Sequence, residues 1–281
     1  MYQTFFGFEK TPFGLTPMTE LFQGLAPHYE ALQTVISAVK MGEGVIKVTG
    51  EVGTGKTMVC RMLINQLPNN VGLVYLPNPV LSGDGLRSAI AKELGISHVE
   101  PGQMVDAIQD KLLELSLHGK QVITLIDEAQ ALSDEALETL RLFGNLETED
   151  KKLLQIVLFG QPELDERLEA NHMRQFRQRI TFSAKLRPLT ISEACAYIQY
   201  RIEMSGGDKL LFSLNQKKAI WKASKGIPRL INQICHKSLI LAFGNQEKII
   251  KNQFIYDAIQ DTYDALKPKY KTPILWGWRQ T

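Results

Sequence analysis

The stretch that decides the fold is Gly50-Glu51-Val52-Gly53-Thr54-Gly55-Lys56-Thr57, which fits the pattern GxxxxGK[ST]. Glycines let the backbone wrap closely, so that successive N–H groups point at phosphate oxygens, and the helix that begins here adds its positive end. In this pattern Lys56 reaches the β- and γ-phosphates, and the Thr57 hydroxyl is a ligand of Mg²⁺. A chance glycine turn is the alternative, but the octapeptide lies between an apolar strand and a helix, which is the context that the pattern requires.

ATP and Mg²⁺ are therefore the predicted cofactors. The predicted nucleotide-binding residues include the whole octapeptide and the residue after it: Gly50, Glu51, Val52, Gly53, Thr54, Gly55, Lys56, Thr57 and Met58. A second motif supports them, because the apolar run 122–126 ends in Asp127 and Glu128. The carboxyl end of a buried parallel strand opens on the ligand crevice. We expect Asp127 to bind Mg²⁺ and Glu128 to polarise the attacking water, although two acids at this point could also cap the next helix.

Strands and helices alternate up to residue 187, which indicates βαβ units and a mostly parallel sheet covered by helices. Strands are predicted at 45–49, 71–76, 121–126, 153–159 and 180–183. Helices are predicted at 29–41, 56–67, 85–94, 103–117 and 134–146. The pattern then becomes purely helical, with helices at 191–204, 214–225, 228–243 and 251–265. Ser133 and Asp134 offer an N-cap to the helix at 134–146, and Thr190 and Ser213 are candidate caps in the helical part. The predicted fold class is α/β, followed by a small all-α domain.

Composition is typical of a folded soluble protein, with 44% hydrophobic and 22% charged residues. The net charge of +2 gives little drive to bind nucleic acid. Three widely spaced cysteines without a CxxC pair favour a reducing compartment over a disulfide framework or a zinc site. We see no secretory signal and no apolar run of about 20 residues, so we expect a cytoplasmic protein that at most contacts a membrane from the side.

The two motifs and the helical domain together resemble the AAA+ ATPases. Further segments resemble the ExeA/GspA group, ATPases of bacterial secretion and pilus assembly, and in particular its short form, which serves mannose-sensitive haemagglutinin (MSHA) pili. This resemblance covers about residues 1–265. The segments that carry it are Tyr2 to Phe13, His28-Tyr29-Glu30-Ala31-Leu32, Asn78-Pro79, IDEAQ at 126–130, Phe159-Gly160-Gln161-Pro162-Glu163-Leu164, Gln178-Arg179-Ile180 and Gly226-Ile227-Pro228-Arg229.

Residues 1–28 are rich in Phe, Gly and Pro, with too many aromatic residues for a free tail, so we predict an irregular segment packed on the core. The resemblance implies a P-loop AAA+ domain at 29–187 and an α-helical lid at 188–265, followed by a tail at 266–281. Longer members add a transmembrane helix and a peptidoglycan-binding module, whereas the apolar part of this tail, Pro273 to Trp278, is too short to cross a bilayer. Its cations and two tryptophans could contact a membrane surface or a partner.

Residue roles follow from the same resemblance. Gln161 is the nearest candidate for the polar sensor that follows the strand after the acidic one. Asn78 could hold Glu128 inactive until a partner binds, or it is an ordinary turn asparagine.

An arginine finger, supplied by a neighbouring subunit, offsets charge on the γ-phosphate in this family. Arg179 matches it best, with Arg177 and Arg174 in reserve, although three close arginines are also typical of a solvated helix face. Arg229 fits the second sensor arginine of the lid, and a surface arginine after an ordinary helix break is the alternative.

We expect the chain to hydrolyse ATP as a ring or other homo-oligomer and to energise or regulate assembly of an MSHA-like type IV pilus or of type II secretion machinery at the inner membrane. The alternative is a DNA-associated ATPase of the transposition-helper or initiator type, and a regulatory module with negligible turnover is a third possibility. No helix-turn-helix follows the lid, and the low net charge disfavours binding to nucleic acid.

Overall fold

A computed structural model describes residues 2–14, 25–77, 79, 81–97 and 99–269. The chain divides into two compact units. The sheet unit contains His28–Val52 and Lys56–Leu186, and the helical unit contains Met1–Pro27, Gly53–Gly55 and Arg187–Thr281.

The sheet has five strands in the order β2-β3-β4-β1-β5, and every neighbouring pair is parallel. The strands are β1 (Val45–Gly50), β2 (Val71–Leu76), β3 (Gln121–Ile126), β4 (Leu154–Gly160) and β5 (Ile180–Leu186). All of β4 and five of the six residues of β3 are buried, as expected for a parallel sheet covered on both faces. The α/β class predicted from the sequence is confirmed, and β2 and β3 have the predicted bounds.

The order of the strands places the carboxyl ends of β1, β4 and β3 side by side. The chain leaves β1, crosses to β2 at the edge, and returns through β3 and β4, so β4 lies between β1 and β3. In the register, Thr49 of β1 pairs with Gly160, and Ile126 of β3 pairs with Leu158. The segments that follow β1, β3 and β4 therefore begin at the same edge of the sheet, where ligands of open α/β sheets bind.

Helices cover both faces of this sheet. Helices α2 and α3 pack on one face and α4 to α8 on the other, around two separate hydrophobic clusters. Their bounds are α2 (Ala26–Lys40), α3 (Lys56–Gln66), α4 (Gly83–Glu93), α5 (Met104–Leu117), α6 (Asp134–Phe143), α7 (Pro162–Glu169) and α8 (Arg174–Arg177). Ser133 caps α6 as predicted, because its side chain accepts a hydrogen bond from the N–H of Ala136.

The helical unit has its own core, formed by five helices and the aromatic residues of the N-terminal segment. The helices are α1 (Tyr2–Phe6), α9 (Ile191–Glu203), α10 (Leu214–Ser224), α11 (Pro228–Gly244) and α12 (Asn252–Gln260). The predicted caps Thr190 and Ser213 both form capping boxes, with Glu193 and Gln216 as the reciprocal partners.

The N-terminal segment differs from its prediction. Residues Tyr2–Phe6 form a helix rather than irregular structure. A helix of five residues is not stable alone, so its stability comes from packing. Tyr2, Phe8 and Phe13 are buried in the core of the helical unit, and the hydroxyl of Tyr2 lies 2.9 Å from Nδ1 of His236.

Several other elements also differ. Helices α7 and α8 were not predicted, because helices of 8 and 4 residues are too short to show an apolar period. Strand β5 extends to Leu186 rather than ending at 183. Helix α12 ends at Gln260 instead of 265, where the ammonium of Lys267 donates to the carbonyl oxygens of Ile259 and Gln260, at 2.7 and 2.9 Å.

Within the described residues, no helix is both long enough and apolar enough to cross a bilayer. Asn78 and the tryptophans of the tail, Trp276 and Trp278, lie outside the described residues.

Candidate nucleotide-binding site

The octapeptide predicted to bind phosphate begins at the last residue of β1, Gly50, and ends at the second residue of α3, Thr57. Two of its glycines have backbone angles that favour glycine, φ +82° at Gly53 and +104° at Gly55. Lys56 is only 5% exposed, and its Nζ donates to the carbonyl oxygens of Gly50 (2.7 Å) and Glu51 (3.1 Å). Met58 is half-buried in the first turn of α3.

Burial lowers the pKa of Lys56, and the nearby carboxylates of Glu128 and Asp127 oppose that shift. The Lys56 side chain, held by main-chain oxygens, lies where a polyanion would need a cation. This chemistry fits a nucleotide phosphate chain.

Asp127 follows β3 directly and faces α3. Its Oδ2 accepts a hydrogen bond of 2.8 Å from Oγ1 of Thr57, and its Oδ1 accepts one of 3.0 Å from the N–H of Glu128. Burial raises the pKa of Asp127, and these two hydrogen bonds counteract the increase. The hydroxyl and the carboxylate both offer oxygen ligands, which Mg²⁺ prefers, and they lie close enough together to bind one ion. The two residues therefore fit the predicted metal site.

Glu128 has a left-handed backbone, with φ +56°, which is unusual for a residue with a side chain. Its Oε2 accepts hydrogen bonds from Nε2 of Gln130 at 2.6 Å and from Nε2 of Gln161 at 3.0 Å. Burial tends to raise the pKa of Glu128, but the two amide donors and the positive charge of Lys56 together leave this pKa below its usual value. The carboxylate is therefore held in its ionised form, as a group that polarises water requires.

Gln161, the predicted sensor, is the N-cap residue of α7 and contacts Glu128 directly. Sequence reasoning missed Gln130, although the signal was present: an amide follows the second acid by two residues, where a tight turn returns its side chain toward that acid.

Side chains of helix α7 contact both β1 and the turn after Glu128. Asp165 forms an ion pair with Lys47 and accepts a hydrogen bond of 2.9 Å from Oγ1 of Thr49, so the helix is joined to β1 just before the octapeptide. Arg167 donates to the carbonyl oxygens of Gln130 (2.9 Å) and Leu132 (2.7 Å), and it thereby braces the turn after Glu128.

The three candidate finger arginines lie in and just after α8 and are exposed. Arg177 donates to the carbonyl oxygens of Leu168 (3.2 Å) and Glu169 (3.1 Å), at the end of α7, which is a structural role. Among the described residues, neither Arg174 nor Arg179 forms a hydrogen bond with the octapeptide. Arg179 directly precedes β5, as the sequence indicated.

Arg229 is exposed and is the second residue of α11. Its backbone N–H donates to the carbonyl oxygen of Gly53, at 3.2 Å, within the helical unit. The turn before this helix requires glycine, because Gly226 has φ +75° and a β-carbon there would lie 2.3 Å from the carbonyl oxygen of Leu189.

Comparisons with known proteins agree with this geometry. Residues 39–168 match the model of an AAA domain. General secretion pathway protein A of Aeromonas hydrophila is 41% identical over 247 residues, which are 87% of this chain and 45% of the relative. Over most of its length the chain is similar to this ExeA/GspA protein, and residues 39–168 carry the AAA domain. It spans less than half the length of that relative.

Solved structures share the fold of this chain at low identity. Cdc6p from Pyrobaculum aerophilum has a TM-score of 0.70 at 18% identity, over 88% of this chain and 70% of that one. The ORC2 protein of Aeropyrum pernix, solved as ADPNP–ADP complexes, has a TM-score of 0.61 at 15% identity, over 84% and 67%. The RuvB Holliday junction branch migration motor of Thermotoga maritima has a TM-score of 0.56 at 16% identity, over 84% and 68%. The AAA+ fold expected from the sequence is thereby confirmed.

Proposed function

We propose that this chain binds ATP with Mg²⁺ and hydrolyses it to ADP and phosphate. The observation that carries the proposal is the hydrogen bond of 2.8 Å between Thr57 and Asp127, with Lys56 and Glu128 as their immediate chain neighbours. This contact joins the phosphate-binding segment to the acidic strand end. A metal ligand pair, a phosphate-binding cation and a water-polarising carboxylate are the parts that phosphoryl transfer to water needs.

Each residue has a separate role. Lys56 and the backbone of residues 50–57 bind the phosphates, and Thr57 and Asp127 hold the metal ion. When bound there, Mg²⁺ would neutralise part of the charge on the phosphates. Glu128 orients the water, accepts a hydrogen bond from it and takes up its proton through a carboxylate oxygen as the water attacks. Gln161 holds that carboxylate from the end of the neighbouring strand.

Arg179 and Arg229 complete the proposal. Arg179 is exposed at the start of β5, so it is available to a second copy of the chain, where it would act as the finger in trans. Arg229, at the start of α11, would serve as the lid sensor. A finger in trans requires an oligomer, and ATP binding would favour its assembly. In this proposal the ATPase domain spans residues 29–187 and the lid spans residues 188–265.

The cellular role we propose is to energise or regulate assembly of type II secretion machinery, or of an MSHA-like type IV pilus, from the cytoplasmic side of the inner membrane. The support is the 41% identity to general secretion pathway protein A. The partners would be assembly proteins at that membrane and further copies of the chain.

Purified protein tests the activity directly. Wild type should release phosphate from ATP only with Mg²⁺, and Glu128→Gln should bind ATP but lose turnover by about 100-fold or more. Equal turnover in both would show that Glu128 is not the base. Turnover that double-stranded DNA increases steeply, with strong salt dependence, would favour the DNA-associated ATPase instead.

Capture of partners tests the cellular role. Glu128→Gln loaded with ATP should retain secretion or pilus assembly proteins, and Lys56→Ala, as the matched nucleotide-free control, should not. Recovery of the same proteins with both variants would argue against an ATP-dependent role in assembly.

A further inference from the structure

Glu128 lies two residues after the end of β3 and has a left-handed backbone. The short 3-10 turn Ala129–Ala131 follows immediately and contains Gln130. Both amide donors that reach the Glu128 carboxylate contact the same oxygen, Oε2. Within the described part of the chain, Oε1 has no hydrogen-bond donor, so one oxygen is fixed while the other can accept a proton from water.

The orientation of the Gln130 amide is determined by a neighbouring main-chain group. The N–H of Gln161 donates to Oε1 of Gln130 at 3.0 Å. A backbone N–H can only donate, so the oxygen of this amide must face Gln161 and its nitrogen must face Glu128. The Gln130 amide thus connects the turn after β3 to the end of β4, and it can serve Glu128 only as a donor.

Arg167 fixes the turn through its carbonyl oxygens. It donates to the carbonyl oxygens of Gln130 and Leu132, and it forms an ion pair with Asp134. The backbone of Gln130 therefore cannot shift without breaking a charge-assisted hydrogen bond. This places the donor nitrogen of Gln130 within 2.6 Å of Glu128.

We propose that Gln130 is a positioning residue for hydrolysis: its amide holds one oxygen of the Glu128 carboxylate so that the other faces the attacking water. Arg167 supports it by fixing the turn. This inference rests on the proposed ATPase function and adds a residue that acts through Glu128 without touching the nucleotide.

Two variants of Gln130 separate its two hydrogen bonds. Gln130→Ala removes both. Gln130→Glu keeps an acceptor for the N–H of Gln161 but cannot donate to Glu128, and it places a second negative charge beside that carboxylate. Gln253→Ala is the matched control, because Gln253 is an exposed glutamine whose amide donates to the carboxylate of Asp257, at 2.6 and 2.7 Å.

Steady-state ATP hydrolysis and amide hydrogen exchange at Gln161 are the two measurements. Both Gln130 variants should lose about 10- to 100-fold in kcat, the scale expected when a reacting group is misplaced by about 1 Å, with little change in KM for ATP. Exchange at Gln161 should accelerate in Gln130→Ala and stay protected in Gln130→Glu. Gln253→Ala should match wild type in both measurements.

Retained kcat in Gln130→Glu would overturn the inference, because Gln130 would then serve only to brace Gln161. Retained kcat in Gln130→Ala, or a rise in KM without a fall in kcat, would overturn it as well. Wild-type protein without turnover would instead refute the proposed function, and the positioning role with it, so the two failures are distinguished by the wild-type measurement alone.

Discussion

The hydroxyl of Thr57 donates a hydrogen bond of 2.8 Å to the carboxylate of Asp127, although the two residues are 70 positions apart in the chain. Thr57 lies in the first turn of α3, and Asp127 follows β3, with β4 between that strand and β1. The contact depends on both the direction and the order of the strands. β1 and β3 end at the same edge of the sheet because they are parallel, and only β4 lies between them. It brings together two sequence motifs that are each incomplete as a site for a metal-bound nucleotide.

Lys56→Ala should abolish binding of Mg-ATP. The residue is 5% exposed and is the ammonium of the octapeptide, so the variant loses the only side chain of that segment that can offset phosphate charge. Isothermal titration calorimetry of the purified variant measures the loss. Lys40→Ala, which removes an exposed lysine at the end of α2, should bind as wild type does, and tight ATP binding by Lys56→Ala would refute the site.

Thr57→Val should retain the shape of the side chain and lose the hydroxyl that contacts Asp127. We expect hydrolysis to fall by about 10- to 100-fold and to require a higher concentration of Mg²⁺, because one oxygen ligand is lost. Thr57→Ser keeps the hydroxyl and should restore most of the activity. The measurement is phosphate release across a Mg²⁺ titration, and an unchanged Mg²⁺ requirement in Thr57→Val would exclude Thr57 as a ligand.

Arg179→Ala should bind ATP and fail to hydrolyse it, because the exposed arginine would act on the nucleotide of a neighbouring copy. Mixing this variant with Lys56→Ala should restore part of the turnover, since Lys56→Ala subunits can donate the arginine to Arg179→Ala subunits. Arg174→Ala is the matched control and should hydrolyse ATP alone. A mixture no more active than its components would contradict a finger in trans.

Stability of the helical unit should depend on the ionisation of Glu193. Two hydrogen bonds of 2.8 Å from Arg187, and the capping box with Thr190, lower the pKa of Glu193 to about 2. Because the folded-state pKa lies below the unfolded-state value, the stabilisation is fully present above about pH 4.5 and is lost as pH falls from there toward about 2.

Glu193→Gln should therefore lower the free energy of unfolding at pH 7 by on the order of 1–2 kcal/mol, and the deficit should shrink between about pH 4.5 and pH 3. Chemical denaturation of both proteins across this range measures it. Glu149→Gln, at an exposed position outside any helix or strand, is the control and should show no such deficit. A deficit that is the same at every pH would mean that the ionised carboxylate is not what stabilises the helix start.

Local patterns allowed much of this structure to be predicted. The octapeptide, the apolar run before Asp127 and the helix caps Thr190 and Ser213 are short-range signals, and the structure has a loop, a strand end and two capping boxes at those positions. The helix Tyr2–Phe6 carries no such signal, since it is held by contacts with residues more than 200 positions away, such as His236.

The sequence by itself determined the parallel α/β sheet, the helical domain and the residue types that a phosphate and a metal ion require, because backbone geometry and apolar periodicity act over a few residues. Only the tertiary structure decided which of those side chains meet. It brought Gln161 and the unpredicted Gln130 to one oxygen of Glu128 and Thr57 to Asp127, and it left Arg179 exposed. These contacts depend on strand order and on the position of α7. Both are set by the burial of apolar side chains that lie far apart in the sequence, so no short stretch of sequence predicts them.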